Sequence, residues 1–450
     1  MIKQNALLYD DIQKNGVSPE LLEEAFKQHL QNIPRYEILG KYYNGNHKIH
    51  ERVQGDKNRP NTKMANAFPK YIVTMTTGYL LGDKVKYSSD RGVNTEPLTE
   101  VYDKSGFWSS DEEIARDMGV YGKALELLYL NKANPPFVQS KVINPANSFV
   151  VYSDDVSDKP MYGIYYYSRL QDGIQTKQII MVYTTKHLYT YETTNKTIDS
   201  SAFVEPVVTQ HFFEDIPIIE YYNNEEYRGD FEPVIDLIDA YDLLQSDRVN
   251  DVERFVQAIL FLKNFTLAQA DAKLLKENRI LSAIGQDTDA KWLVNALDQQ
   301  GIEVLRKTIE ADIHKFSFVP SMSDENFANN VSGVAMRFKL IGLAQMTKIK
   351  KRYMEKGLRQ RLRLIINVPN KRLDIKEADL TVEFTHSLPV NELEIAQMIQ
   401  TLTGLVTNET LIELLPFVTD SKAENQAVEA EQARKLVETQ RAFDAPLSDE

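Results

Sequence analysis

Two clusters of residues in this chain have types and spacings that could support chemistry. His47 and His50 lie three positions apart, so they could share a helix face and bind a metal ion. No convincing third ligand follows, and exposed histidines at a helix start are the favoured interpretation. Asp154, Asp155 and Asp158 could bind a divalent cation, but the glycine and the terminal glutamate of an EF-hand loop are missing. A solvated turn is the favoured interpretation of this second cluster.

Most other classes of catalytic site are excluded by the sequence. It contains no GxxxxGK or GxGxxG phosphate-binding loop and no GxSxG nucleophile motif. It also contains no cysteine, which removes disulfides, thiolate metal sites and thiol nucleophiles. A net charge of −13 is the wrong sign for a simple nucleic-acid-binding protein. We therefore expect no motor ATPase and no thiol chemistry in this chain, and we predict no metal site and no cofactor.

The predicted elements combine helices with a sheet, which indicates an α+β fold. Residues 162–167, 178–183 and 188–192 are rich in Tyr, Ile, Val and Thr, and turn residues separate them, which predicts an antiparallel meander. Apolar residues at three- and four-residue spacing predict a helix over residues 234–262, about 43 Å long at 1.5 Å per residue. A second helix is predicted over residues 302–316. The N-terminus lacks the apolar core of a signal peptide, so we expect synthesis in the cytoplasm.

Residues 321–366 join a polar loop to a long helix. The loop, up to Gly333, is rich in Asn and Ser, whose side chains bond their own backbone and favour turns. After it, apolar residues recur at three- and four-residue steps, as on one face of a helix. Steps of five residues span Gly342 and Gly357, and they predict a helix that bends or rotates its buried face there.

Three stretches of the chain resemble one protein family. They are RPNTKMANAFPKYIVTMTTGYLLGDKVKY, the segment IPIIEYYNNEEYRGDFEPVIDLIDAYDLLQSDRVNDVERFVQAILFLKNF, and SDENFANNVSGVAMRFKL in the loop and helix just described. In this order they resemble the portal proteins of long-tailed phages that infect Gram-positive bacteria. The resemblance spans about residues 35–430.

The resemblance implies an α+β portal fold divided along the chain. It implies a mixed α/β wing at residues 1–230, a stem helix at 231–262, a small α/β clip at 263–299, a second stem helix at 300–317, a tunnel loop at 318–333, a kinked helix with a wing strand at 334–386, and a helical crown with an acidic tail at 387–450.

The resemblance also implies a function and partners. Portal proteins are non-enzymatic rings of about twelve subunits, a closed cyclic assembly, at one vertex of the capsid. Double-stranded DNA passes through such a ring during packaging and ejection. The implied partners are further copies of the chain, the terminase large subunit, a head completion or adaptor protein, and the capsid and scaffolding proteins. The implied location is the virion, with the host cytoplasm during assembly and no membrane.

Within such a ring, the tunnel loop would face DNA and the two glycines would act as helix hinges. The predicted DNA-facing residues are Met322, Asp324, Glu325, Asn326, Phe327, Asn329, Asn330, Val331, Ser332 and Gly333, and the predicted hinges are Gly342 and Gly357.

One of the predicted helices is rich in acidic residues and a later one is rich in basic residues. The acidic stem residues are Asp236, Asp239, Asp242, Asp247 and Asp251, and the basic residues of the later helix are Lys348, Lys350, Lys351, Arg352, Lys356, Arg359, Arg361 and Arg363. A solvated helix face is one interpretation of each pattern. Alternatively, acids along a channel would repel phosphates, and the basic helix would pair with an acidic face of the next subunit or touch DNA.

Two rival functions remain open from the sequence. A head–tail adaptor or another ring component of the virion is the first, although an adaptor would usually be shorter and would not need both long helices. A metal-dependent hydrolase acting on DNA ends through Asp154, Asp155 and Asp158 is the second.

Overall fold

The computed structural model describes most of the 450-residue chain, in two compact units. The described residues are 1–53, 60–89, 91–171, 175–195, 197–256, 259–263, 289–293, 299–322, 333–368, 375–385, 392–415, 418 and 421–443. The first unit consists of Met1–Ser321 with Gly342–His386, and the second of Met322–Ile341 with Ser387–Glu450.

Helices and strands are both well represented, so the α+β class is confirmed. The helices are α1 (Tyr9–Asn15), α2 (Pro19–Leu30), α3 (Ile33–Tyr43), α4 (Phe68–Leu80), α5 (Glu96–Ser105), α6 (Phe107–Tyr121), α7 (Ile235–Val256), α8 (Gln299–Phe316), α9 (Gly333–Lys339), α10 (Ile341–Ile366), α11 (Glu392–Leu402), α12 (Asn408–Glu413) and α13 (Ser421–Phe443). Among the residues described, no helix is long and apolar enough to cross a membrane.

The strands form two larger sheets and two short ribbons. They are β1 (Ile2–Gln4), β2 (Lys86–Ser88), β3 (Lys123–Leu130), β4 (Val138–Ile143), β5 (Ser148–Ser153), β6 (Pro160–Gln171), β7 (Gln175–Tyr183), β8 (His187–Thr193), β9 (Val207–Gln210), β10 (Ile218–Tyr222), β11 (Ile259–Lys263), β12 (Asp289–Leu293) and β13 (Thr381–Glu383). The strand orders are β1-β5-β6-β7-β8-β9, β10-β3-β4, β11-β12 and β13-β2.

The predicted antiparallel meander is confirmed in the six-stranded sheet. Strands β6, β7 and β8 pair in sequence, with Ile164 opposite Val182 and Ile180 opposite Tyr191. Helix α2 packs on this sheet because its apolar residues share one face. Phe26 of α2 is fully buried and makes an edge contact with the Phe149 ring, with the centroids 5.3 Å apart.

A second core joins helices α4, α5 and α6 to the sheet β10-β3-β4 and to helix α10. Helix α10 contributes Met354, Leu358 and Leu362, all fully buried, at the three- and four-residue spacing of one helix face. Strand β13 pairs with β2, which attaches the chain after α10 to the same core. In the second unit, α12 and α13 pack against each other, and Leu411 of α12 is buried.

The prediction of one continuous helix over residues 234–262 is wrong. Helix α7 ends at Val256, and residues 259–263 form strand β11, which pairs antiparallel with β12. Helix α7 has 22 residues, so it is about 33 Å long at 1.5 Å per residue. Residues 259–262 are all apolar, and such a short run suits a strand as well as a helix. The partner strand lies about 30 residues further along the chain, where periodicity cannot reveal the pairing. Residues 289–293, within the predicted clip, form strand β12.

A buried ion cluster fixes α10 in the second core. The Arg361 side chain is fully buried, and its Nε donates to Glu126 Oε2 at 2.9 Å while Nη1 donates to Asp111. Tyr221 Oη donates to the same Glu126 oxygen, and the Phe107 ring centroid lies 5.0 Å from the guanidinium carbon. Burial raises the pKa of Asp111 to about 6, against the opposing effect of the Arg361 charge.

We expect Arg361→Met to destabilise the fold by about 3–5 kcal/mol, because it leaves two carboxylates buried without their cation. The measurement is the thermal unfolding midpoint together with soluble yield. Lys132→Met is the control, since Lys132 is an exposed cation outside the second core. Equal midpoints for the two variants would contradict the structural role of this cluster.

Candidate functional site

Helices α7 and α8 lie side by side and form the first element of the candidate site. Arg306 of α8 donates from Nη1 to the Tyr241 hydroxyl at 3.1 Å. Arg248 of α7 lies 3.2 Å from Glu303 of α8, measured from Nη1 to Oε2. Because β11 follows α7 and its partner β12 precedes α8, the two helices lead into and out of one two-stranded ribbon.

Among the predicted acidic residues of α7, Asp242 is not on a surface, which corrects that part of the prediction. It is fully buried, and its Oδ1 accepts hydrogen bonds from the main-chain and side-chain nitrogens of Asn66, both at 2.8 Å. Its Oδ2 lies 2.5 Å from Nδ1 of His47, which is also buried. A buried carboxylate needs such partners, so Asp242 joins α7 to the N-terminal helices.

The remaining acids of α7 differ in exposure. Asp239 accepts a hydrogen bond from the Tyr42 hydroxyl at 2.6 Å, and Asp247 forms an ion pair with Arg52 at 2.7 Å. Asp251 is half-buried. Asp236 is exposed and is the best placed of the five to act on solvent or on another molecule.

Two of the predicted basic residues of α10 are likewise corrected. Lys350 and Arg361 were predicted to meet DNA or a neighbouring subunit, but both side chains are buried and paired within the protomer. Lys350 Nζ donates to Asp230 Oδ2 at 2.9 Å, and Thr76 donates its hydroxyl proton to the same oxygen. Both residues lie on the same face of the helix as its buried apolar residues. Their spacing from those apolar residues was visible in the sequence and could have predicted their burial.

The other basic residues of α10 divide into partnered and exposed groups. Arg359 pairs with Glu355 at 2.9 Å and with Glu377 at 3.3 Å. Lys351 lies over the Phe384 ring at 5.2 Å from its centroid, and Arg363 is 4.0 Å from Glu377. The exposed group, with no ion pair to any described residue, consists of Lys348, Arg352 and Lys356.

Most of the predicted tunnel loop lies outside the described residues. This applies to Asp324, Glu325, Asn326, Phe327, Asn329, Asn330, Val331 and Ser332. The flanking residues are described: Met322 is exposed and Gly333 begins α9. At the first position of the loop, Phe318 has a φ of 59°, a conformation that is strained for a bulky side chain.

The two predicted hinge glycines have different environments. Gly342 lies next to the break between α9 and α10, and a Cβ placed on it would be 3.5 Å from the Phe318 ring, an ordinary contact. Gly357 lies inside the uninterrupted helix α10, where a Cβ would overlap the Tyr221 ring. Gly357 therefore permits close packing of the helix on strand β10, which corrects its assignment as a hinge.

The candidate metal clusters are already occupied by protein contacts. Asp154 accepts from the Ala6 main-chain nitrogen, Asp155 accepts from Ser153 and Ser157, and Asp158 pairs with Lys3 at 2.7 Å. Within the described ranges, no three His, Cys, Asp or Glu side chains converge as metal ligands would. The geometry gives no support to the hydrolase alternative.

We expect Gly357→Ala to destabilise the protein by about 1–3 kcal/mol through overpacking against Tyr221. Gly342→Ala is the matched substitution in the same helix, and it should leave the unfolding midpoint equal or slightly higher because alanine favours helix. Thermal unfolding of both variants under one set of conditions checks the difference. A midpoint for Gly357→Ala at or above that of the parent would contradict the close packing.

Comparison with known proteins places these elements in a family. The family model described as phage portal protein, SPP1 Gp6-like, matches residues 22–437. The portal protein of Bacillus phage SPP1 is 26% identical over 408 residues, which cover 84% of this chain and 77% of that protein. The portal protein of Clostridium phage phiCD119 is 22% identical over 422 residues, covering 86% and 90%. Because the family model spans most of its length, this chain belongs to the SPP1 Gp6-like family of phage portal proteins.

Proposed function

We propose that this portal protein forms a closed ring of about twelve subunits at one capsid vertex, through which DNA is packaged and ejected. The observation that carries the proposal is the family match over residues 22–437. The paired helices α7 and α8 support it, because two adjacent helices that lead to a small ribbon suit a stem that ends in a clip. The location that follows is the virion, after assembly in the host cytoplasm.

Ring formation is tested by the mass of the purified protein. Twelve copies of a 51.6 kDa chain weigh about 619 kDa, so native mass spectrometry should give a species near that mass. Electron microscopy of the same sample should show rings with a central hole. Only monomers or dimers at micromolar protein and moderate salt would count against the proposal.

We assign the clip to residues 263–299 and propose that the terminase large subunit docks there during packaging. The ribbon of β11 and β12 would form the base of this clip, because its last pair, Lys263 with Asp289, lies where the chain leaves and re-enters the ribbon. A head completion or adaptor protein would occupy the same end of the ring after packaging. Capsid and scaffolding proteins would contact the wing, and the ring itself would hydrolyse no nucleotide.

Replacing residues 264–288 by a short Gly-Ser turn should abolish motor binding and leave ring assembly intact. The β11–β12 pairing is kept in this variant, so the stem helices retain their connection. Binding of the purified terminase large subunit to preformed rings is the measurement. A variant that lacks residues 444–450 is the control and should bind normally. Full binding by the clip variant would show that the motor docks elsewhere.

We further propose that the loop of residues 318–333 touches DNA weakly and follows its movement. Between Met322 and Gly333 its only charged residues are Asp324 and Glu325, so it lacks cations that would hold phosphates. A loop that binds DNA weakly can release and rebind as the duplex moves. Lysines in the loop would bind the phosphates and slow the movement of the DNA.

Replacing Asn329 and Asn330 by lysine should therefore slow or arrest DNA translocation, most strongly at low salt, where charge is least screened. The measurement is packaged DNA length per head over time, for variant and parent. Replacement of both residues by glutamine is the matched control and should package at the parental rate. Equal rates for lysine variant and parent at low salt would refute contact between this loop and DNA.

A further inference from the structure

One face of α10 carries an exposed basic stripe that the protomer leaves without a partner. Lys348, Arg352 and Lys356 recur every four residues, so they lie on one side of the helix over about 12 Å. Ile349 lies among them with 48% of its side chain exposed. None of the three cations forms an ion pair with a described residue, whereas Lys350 and Arg361 on the buried side of the same helix each pair with a carboxylate.

A groove on another part of the same unit has the complementary composition. It lies between helices α4 and α6 and has a volume of about 840 Å³. Its walls include apolar side chains, and its rim is acidic; the residues that matter here are Val73, Leu81, Trp108, Asp83, Glu112 and Glu113. None of the stripe residues lines it, and Asp111 in its wall pairs with Arg361 on the side of α10 opposite the stripe.

Two buried polar atoms of the groove lack hydrogen-bond partners. They are Thr77 Oγ1 and Asp111 Oδ2, on side chains that are 8% and 2% exposed, and both residues line the groove. Both atoms are shielded from solvent and are not open to an incoming side chain, so the exposed carboxylates of the rim are the groups that a cation can reach. Long Lys and Arg side chains can pair with such carboxylates while their stems cover apolar surface.

The two basic residues at the groove are already engaged with other side chains. Arg116 already pairs with Glu113 and Asp117 at 3.2 and 2.9 Å. Lys84 lies over the Trp108 ring, 5.3 Å from its centroid, and 3.7 Å from Asp103. Glu112 is exposed and forms no ion pair with any residue that the structure describes. The rim therefore keeps an acidic surplus.

We propose that the basic stripe of one subunit docks into the α4–α6 groove of its neighbour in the ring. In a closed ring, one face of each subunit contacts a different face of the next subunit. The stripe and the groove are complementary in charge, and both include apolar side chains. Ile349 would pack against Leu81 or Trp108, and the cations would reach Glu112 and Glu113. The inference rests on the proposed ring.

Cross-linking tests the contact directly, because the chain contains no cysteine of its own. In preformed rings of an Arg352→Cys/Glu112→Cys variant, a short bis-maleimide should give a ladder of covalent multimers on a denaturing gel. Each single-cysteine variant should give no ladder. An Arg352→Cys/Lys132→Cys variant, with its second cysteine on an exposed position outside the groove, should react about tenfold less because its thiols are not held together.

Charge reversal gives a second, independent measurement. Arg352→Glu/Lys356→Glu and Glu112→Lys/Glu113→Lys should each raise the protein concentration for half-assembly about tenfold, because like charges then meet. The variant with all four changes should return toward the parental value.

The outcomes separate this contact from the function on which it rests. Intact rings without a ladder, with no rescue in the fourfold variant, would overturn the contact and leave the portal function standing. Intact rings of Arg352→Glu/Lys356→Glu that fail only in DNA passage would also overturn it, since the stripe would then face DNA. An unmodified protein that forms no ring would instead refute the proposed function.

Discussion

The first unit depends on burying charge where α10 packs against α6 and the sheet β10-β3-β4. Arg361 meets Asp111 and Glu126, and Lys350 meets Asp230, in positions from which water is excluded. Such pairs add little net stability compared with apolar residues, but breaking one leaves an unpaired buried charge. A shift or rotation of α10 would separate these buried charges from their partners. The pairs therefore fix the position and the rotation of α10 against helix α6 and the sheet β10-β3-β4.

That constraint determines which side of α10 is available to other molecules. With Lys350 and Arg361 directed inward and Gly357 pressed against Tyr221, the helix can present only its opposite side. The exposed cations Lys348, Arg352 and Lys356 are on that side. The same helix thus uses one set of basic residues to hold the protomer together and leaves another set exposed.

Helix α7 likewise has both buried and exposed charged residues, but here they are acidic. Asp242 and His47 are buried together and connect α7 to the N-terminal helices, whereas Asp236 remains exposed. In the proposed ring α7 would be a stem helix, and a stem that passes DNA needs rigid helices with little attraction for phosphates. Its buried acids would provide the rigidity and its exposed acids the weak attraction. The net charge of −13 agrees with a channel that conducts DNA instead of binding it.

The sequence by itself determined the α+β class, the meander of β6, β7 and β8, helix α8 and the resemblance to portal proteins. These depend on local periodicity and on motifs, which are readable in one dimension. Only the tertiary structure decided that Lys350, Arg361 and Asp242 are buried, that residues 259–263 form a strand, and that Gly357 serves packing. The partners of the three buried residues lie 120, 250 and 195 positions away along the chain, and periodicity identifies a helix face without identifying what covers it.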